Sequence, residues 1–350
     1  MRILYGVTGC GLGHTMRARA LAQHLRLEGH KVTIAASGRA VSILRGHGFP
    51  VLPIDGMSMH FEQGEVRRAR TVLDMLKRTP HALAHNADVA LGDALDFLPD
   101  MLVTDFDSFT AALGALFGRP VISVDHQHVL DRFRHPREVR ASVSSFGMAR
   151  AFVTAKTPRC AQYVVSSFFF PEARWDKSTL VGPIVRREIE DAPVTSEDHV
   201  LVYQTSSGDP RLIPALLAVP RTRFVLYGLG RSHQTIGNVE LRAFDEAAFV
   251  RDLASCRAVI SNGGFTTISE ALYLGKPVLS VPVRRQPEQE LNAAWLTRIG
   301  AGESSPRIDA ATIKRFLDRT REFENVQDAR IRSGTRDAKL ALSRAISEAA

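Results

Sequence analysis

The 350-residue sequence predicts an α/β protein of two successive domains, each a parallel sheet flanked by helices. Three observations carry that expectation. Short apolar runs of strand length recur along the chain, each closed by a glycine or polar turn, and most are followed by a stretch of helical character. Buried parallel strands read as continuous apolar runs because both of their faces are covered. The length is sufficient for two cores, and the charged run from Arg186 to Asp198, which contains Pro193, falls between the two sets of strands. The expected boundaries are 1–185 for the first domain, 186–198 for a linker, 199–330 for the second domain, and 331–350 for a closing helix that crosses back onto the first domain.

Taken in order, the opening run MRILYGVTG is a strand entering a glycine turn, Gly9-Cys10-Gly11-Leu12-Gly13-His14, with a helix following to about Glu28 and stopped by Gly29. The next strand, KVTIAAS, ends in Ser37-Gly38-Arg39 and lacks the acidic residue that a dinucleotide-binding loop places on a ribose. Val51 to Ile54 is extended, and residues 66 to 90 are helical with a break expected near Pro80. Met101 to Thr104 is a buried strand tipped by Asp105-Phe106-Asp107, and Pro120 to Val124 another, tipped by Asp125-His126-Gln127-His128. Ligands of open parallel sheets gather at the carboxyl ends of the strands, so these tips are expected to share one cleft with His14. Ala151 to Thr154 and Tyr163 to Phe170 are read as further strands, Phe168-Phe169-Phe170 being a buried strand end in preference to an exposed membrane foot. In the second half, strands are expected at His199 to Tyr203, Arg223 to Tyr227 and Val239 to Arg242, then a helix from Ala247 to Ala254, with a last helix over about Arg332 to Ala349.

A formal charge of +8 points to anionic partners without choosing among phosphorylated ligands, lipid surfaces and nucleic acid. No aromatic or Arg-rich recognition module stands out, so nucleic acid is not expected. Cys10, Cys160 and Cys256 have neither metal nor disulfide spacing and fit a reducing cytoplasm. The apolar start is too short for a signal peptide or a membrane span.

The most informative stretch runs from Arg257 to Gly302. A strand, Ala258 to Ser261, turns through Asn262-Gly263-Gly264 into a helix that begins near Thr266-Thr267 and carries Glu270. Glycines allow close backbone approach, and the free N–H groups and positive dipole end of the helix favour a phosphate. A second strand, Pro277 to Pro282, delivers Gln286-Pro287-Glu288-Gln289-Glu290 beside it. A phosphorylated sugar suits that pair of sites.

These residues resemble the donor-binding signature of nucleotide-sugar glycosyltransferases of the GT-B fold, families 1 and 28. The spacing matches from Asn262 through Glu270, and again in Glu288-Gln289-Glu290-Leu291-Asn292-Ala293. Two positions depart: Asn262 stands where the family has a phosphate-contacting His, and Glu288 where it has an Asp for sugar hydroxyls. The resemblance implies a GT-B architecture of two Rossmann-like domains with parallel sheets facing each other across a cleft, with His14 as catalytic base and Asp105 supporting it. It implies donor contacts from Gly13, Thr205, Ser206, Ser207, Gly228, Phe244, Asn262, Gly263, Gly264, Thr266, Thr267, Glu270, Glu288 and Gln289. Glu270 would take ribose hydroxyls, Glu288 and Gln289 the sugar's, and Phe244 marks the segment that holds the base.

The expected activity is inverting transfer of a sugar from a nucleoside diphosphate, with UDP the expected carrier, to a hydroxyl acceptor, lipid-linked or otherwise. No metal or other cofactor is expected; Asp105-Phe106-Asp107 mimics the metal-holding D-x-D of another transferase fold, but the donor signature lies in the other half of the chain. His126 and His128 lack a third ligand nearby and are read as loop residues. A cytoplasmic location is expected, with peripheral contact at the inner face of an anionic membrane as an accompanying option. A UDP-sugar 2-epimerase and a non-catalytic GT-B partner protein are the alternatives; retention of His14, Thr266, Glu270 and Gln289 argues against the second.

Overall fold

A computed structural model describes residues 1–9, 12–56, 61–62, 65–66, 68–204, 209–229, 233–323 and 328–350, with side chains left out for 61–62, 65–66 and 68–78. The first sheet is built from β1 (Arg2–Val7), β2 (Lys31–Ala36), β3 (Val51–Pro53), β6 (Met101–Asp105), β7 (Val121–Asp125), β8 (Gln162–Ser166) and β9 (Ser178–Val181). Its order is β3-β2-β1-β6-β7-β8-β9, parallel throughout. Between β3 and β6 a two-stranded ribbon forms from β4 (Phe61–Glu62) and β5 (Glu65–Val66). The second sheet comprises β10 (His199–Tyr203), β11 (Arg223–Tyr227), β12 (Gln234–Ile236), β13 (Val239–Arg242), β14 (Ala258–Ser261), β15 (Val278–Ser280) and β16 (Gly302–Ser304). It runs β12-β13-β11-β10-β14-β15-β16 and is parallel except for β12.

Several strands follow directly from apolar runs buried on both faces: the β10, β11, β13 and β14 spans coincide with those read from sequence. Three expectations fail. Ala151 to Thr154 is not a strand but part of the helix Phe146–Lys156, in which Val153 alone is buried, because a short apolar run does not distinguish a strand from one face of a helix. The helix Arg68–Val89 passes through Pro80 without a break, since the proline removes one backbone donor while the turns on either side continue. The strand from Tyr163 ends early, at Ser166, and the chain then buries Phe168 and Phe169 completely, which excludes those two rings from a membrane foot.

The last helix, Ala329–Ala349, packs on β8 and β9 of the first sheet. It lands on the Gly182-Pro183 turn, where glycine is required on both sides. A Cβ on Gly182 would lie 1.8 Å from the Arg330 carbonyl oxygen, and one on Gly334 would lie 2.3 Å from the Pro183 carbonyl oxygen. Neither contact can relax, since both partners are backbone. Gly334→Val is therefore expected to lift this helix from the first sheet and to destabilise the protein by about 1–3 kcal/mol, read as a lower midpoint in thermal unfolding.

Candidate active site

Both parallel sheets turn the carboxyl ends of their strands toward a common cleft of about 650 Å³. From the first domain it is lined by His14, Arg17, Phe106, His126 and Gln127, and from the second by Asn262, Gly264, Thr266, Thr267, Glu270 and Glu288, among others. The domains approach so closely at its rim that a Cβ on Gly13 would lie 2.0 Å from Thr266 Oγ1. Glycine at this position lets the first turn of one domain's helix meet the donor-type turn of the other.

His14 begins the helix Leu12–Leu27, and its Nδ1 lies 2.7 Å from Asp105 Oδ1 at the tip of β6. The carboxylate, ionised beside Arg17, can only accept, so Nδ1 carries the proton and Nε2 faces the cleft as an acceptor. Sequence reasoning missed Arg17. It lies three residues after His14, on the same helix face, and its Nε and Nη2 donate to Asp105 at 2.8 and 2.6 Å. Asp105 is thereby held by a buried bidentate pair as well as by the imidazole. Asp107 takes no part in this arrangement: it caps the helix Ser108–Phe117 by accepting from Thr110. Among the described residues no group of three His, Cys, Asp or Glu side chains is placed to hold a metal ion.

On the opposite wall, the helix Phe265–Tyr273 points its N-terminus into the cleft, with Thr266 and Thr267 in the first turn. Gly263 adopts φ +83°, which only glycine takes without strain, and a Cβ there would meet Ser280 Oγ at 2.9 Å and the Gln289 carbonyl oxygen at 3.0 Å. Asn262 lines the cleft before this turn. Gly228 has φ +97° but packs on the Gln204 backbone and does not line the cleft; Phe244 does, and is partly exposed there. Thr205, Ser206 and Ser207 lie outside the described residues. Gln289 lines the cleft while its Oε1 accepts from the Val283 amide at 2.9 Å, which leaves its NH₂ for other partners.

Glu270 also lines the cleft, and its partner is a residue read from sequence only as part of the linker. Arg186 donates to both Glu270 oxygens at 2.8 and 2.9 Å and to Glu246 at 2.9 Å. Burial works against the Arg186 charge, yet the two carboxylates outweigh it and hold the guanidinium above its ordinary range. Eighty-four positions separate Arg186 from Glu270, so no local pattern could have announced the pair.

Aromatic contacts join the two walls. Phe265 stacks on His126 with centroids 3.9 Å apart, and Trp295, from the helix Pro287–Arg298, stacks on Phe169 at 4.8 Å. His126 also meets the Ser166 carbonyl and Asn292 Oδ1, each at 2.8 Å, and burial lowers its pKa. Asp125 and His128 instead bind each other at 2.7 Å within the first domain's core.

With the geometry in place, comparison with known proteins is direct. The profile of glycosyl transferase family 1 matches residues 1–320. The chain belongs to glycosyl transferase family 1. An uncharacterized glycosyltransferase of Methanosarcina mazei is 24% identical to this family 1 chain over 355 residues, covering 91% of the chain and 90% of the relative. An N-acetylglucosamine transferase of Methylorubrum populi, named for UDP-N-acetylglucosamine and N-acetylmuramyl-(pentapeptide) pyrophosphoryl-undecaprenol, is 26% identical over 322 residues, covering 84% and 81%. Among solved structures, the glycosyltransferase SsfS6 of Streptomyces sp. SF2575 complexed with thymidine diphosphate superposes with a TM-score of 0.64 at 20% identity, covering 100% of both chains. The glycotransferase of kitacinnamycin gives 0.67 at 16% identity over 99% and 98%. The fold of this family 1 glycosyltransferase is GT-B. No helix among the described residues is long and apolar enough to cross a membrane.

The two halves of this transferase also share a titratable contact. Trp295 Nε1–H donates to His135 Nδ1 at 3.0 Å, and His135 Nε2–H donates to the Val129 carbonyl at 2.8 Å, which requires a neutral ring. Burial pushes the His135 pKa down to about 4. A lowered histidine pKa means that the unfolded chain binds the extra proton more readily. Stability is therefore complete above the ordinary value of 6.5 and falls as the pH drops through the window to about 4, by about 3 kcal/mol from this residue. Urea unfolding followed across that window should show the slope in the native protein and its loss in His135→Gln.

Proposed function

We propose that this glycosyltransferase moves a sugar from a UDP donor to an acceptor hydroxyl with inversion, using His14 as general base. The observation that carries the proposal is the placement of the His14–Asp105 pair directly across the cleft from the N-terminus of the helix Phe265–Tyr273. A diphosphate seated on that N-terminus puts the anomeric carbon between the two walls. His14 Nε2 then takes the acceptor O–H proton while the acceptor oxygen bonds to the anomeric carbon, and the bond from that carbon to the phosphate oxygen breaks with its electron pair. The N–H groups of the helix start, with the Thr266 and Thr267 hydroxyls, meet the charge of the leaving diphosphate, in place of a metal ion. Asp105 holds the imidazole tautomer and stabilises the imidazolium, in the manner of the third member of a hydrolase triad. Arg186 fixes the Glu270 carboxylate for the ribose hydroxyls, and Glu288 and Gln289 face the sugar.

The donor assignment draws support from the relative named for UDP-N-acetylglucosamine. The same relative's lipid-linked acceptor supports an acceptor of that class here, met in the cytoplasm at a membrane surface toward which the chain's net charge of +8 is attracted.

A thermal-shift series with UDP, dTDP, GDP and NAD tests the donor. A ligand that binds only the native state raises stability by about 2.7 kcal/mol at a hundredfold excess over Kd. The largest shift is expected with UDP; a shift with NAD alone would overturn the transferase site. Titration calorimetry should show Glu270→Ala binding UDP more weakly by roughly 1.5–3 kcal/mol.

His14→Ala should retain UDP affinity while its turnover falls by about two to four powers of ten, because the acceptor proton has lost its base. Near-native turnover in a folded His14→Ala protein would remove His14 from that role.

A further inference from the structure

We propose that Gln127 is a positioning residue for this transfer: its amide N–H groups hold the lone pair of His14 Nε2 until a substrate hydroxyl takes that place, and its carbonyl oxygen then accepts from the substrate. The proposal rests on the reading of His14 as base. Gln127 sits on the loop after β7, buried at the floor of the cleft, and its Nε2 lies 3.2 Å from His14 Nε2 and 3.2 Å from Glu288 Oε2. Both of these neighbours are acceptors. His14 Nδ1 is committed to Asp105, which leaves Nε2 bare, and the glutamate presents an oxygen. The amide orientation is thereby decided: the NH₂ end must lie between them, and exchanging the amide ends would set Oε1 against the Glu288 carboxylate.

The other end of the same side chain has no partner. Gln127 Oε1 is buried without a hydrogen bond among the described residues. A buried acceptor left over beside the reacting atoms, on a side chain that otherwise spans the cleft from one domain to the other, is suited to an O–H or N–H of the substrate. Its chemical class is a polyol: the sugar being transferred, or the hydroxyl-bearing acceptor next to it.

Two consequences follow from the donor geometry at Nε2. An N–H on that lone pair favours the neutral ring and bars it from drawing a proton from water, so the donor is protected from hydrolysis. Once Nε2 has taken a proton it repels the NH₂ group, and Gln127 must leave His14. Protonation of the base and the Gln127 bridge across the cleft therefore exclude each other. The charged groups facing His14 are Asp105 at the tip of β6 and Arg17 on its own helix, with Glu288 reaching it through Gln127.

The test uses the full chain and hydrolysis of UDP-glucose, UDP-N-acetylglucosamine and dTDP-glucose without acceptor, followed across the pH range in which the fold is intact. Gln127→Met keeps the length and removes the N–H donors. Hydrolysis should rise roughly two- to tenfold, and the acid limb of kcat/KM should move to higher pH, because the neutral ring has lost its donor. Gln127→Glu should move the acid limb further in the same direction, since a carboxylate at that place favours the imidazolium. A merely structural role would lower the rate without moving the limb. If His14→Ala abolishes hydrolysis while both Gln127 variants keep the native rate and limb, the proposal is overturned and the base assignment stands. If His14→Ala hydrolyses donor at the native rate, the base assignment fails first, and the role of Gln127 with it.

Discussion

The ring contacts between the two domains are the constraint on which the site depends. Phe265 lies on His126 and Trp295 on Phe169, and Phe265, His126 and Trp295 each share a loop or helix with residues that line the cleft. Phe265 is the residue directly before Thr266, and His126 the residue directly before Gln127. Apolar packing between the two walls therefore sits next to cleft-lining residues, and a shift of either ring would carry one of them with it. The close approach of Gly13 to Thr266 is available only because the rings bring the walls that near.

Charge is distributed over this frame in pairs that cross long stretches of sequence. Arg17 neutralises Asp105 in the first domain, and Arg186 neutralises Glu270 and Glu246 in the second. Burial raises the Glu270 carboxyl above its ordinary range, and the paired Arg186 works against that shift. In both cases the arginine is bidentate, which fixes the carboxylate plane as well as its charge. The pattern gives each wall one oriented carboxylate, Asp105 beside His14 and Glu270 in the cleft lining.

Much of this was legible in the chain. The β10, β11, β13 and β14 strands were readable because continuous apolar runs bounded by turn residues admit few other solutions. The turn Asn262-Gly263-Gly264 and the helix after it were readable because glycine spacing and a following hydroxyl pair have a local meaning, namely a backbone that must approach something closely. Ala151 to Thr154 was misread for the opposite reason: four apolar residues carry too little period to separate a strand from a helix face. Phe168 and Phe169 were correctly placed inside, but what they pack against, Phe265 and Trp295, lies in the other half of the chain.

The sequence by itself determined the two-domain α/β plan and the glycine turn that opens the helix Phe265–Tyr273, because both follow from local periodicity and turn chemistry, whereas the pairing of His14 with Asp105 was implied only by the family resemblance. Tertiary structure alone decided which charges share a salt bridge, that Arg186 belongs to the site and not to a spacer, and that Gln127 touches His14 and Glu288 at once. Those contacts depend on the angle and distance at which two separately folded sheets meet. No spacing along the chain encodes that angle, since it is set by rings packing across the interface.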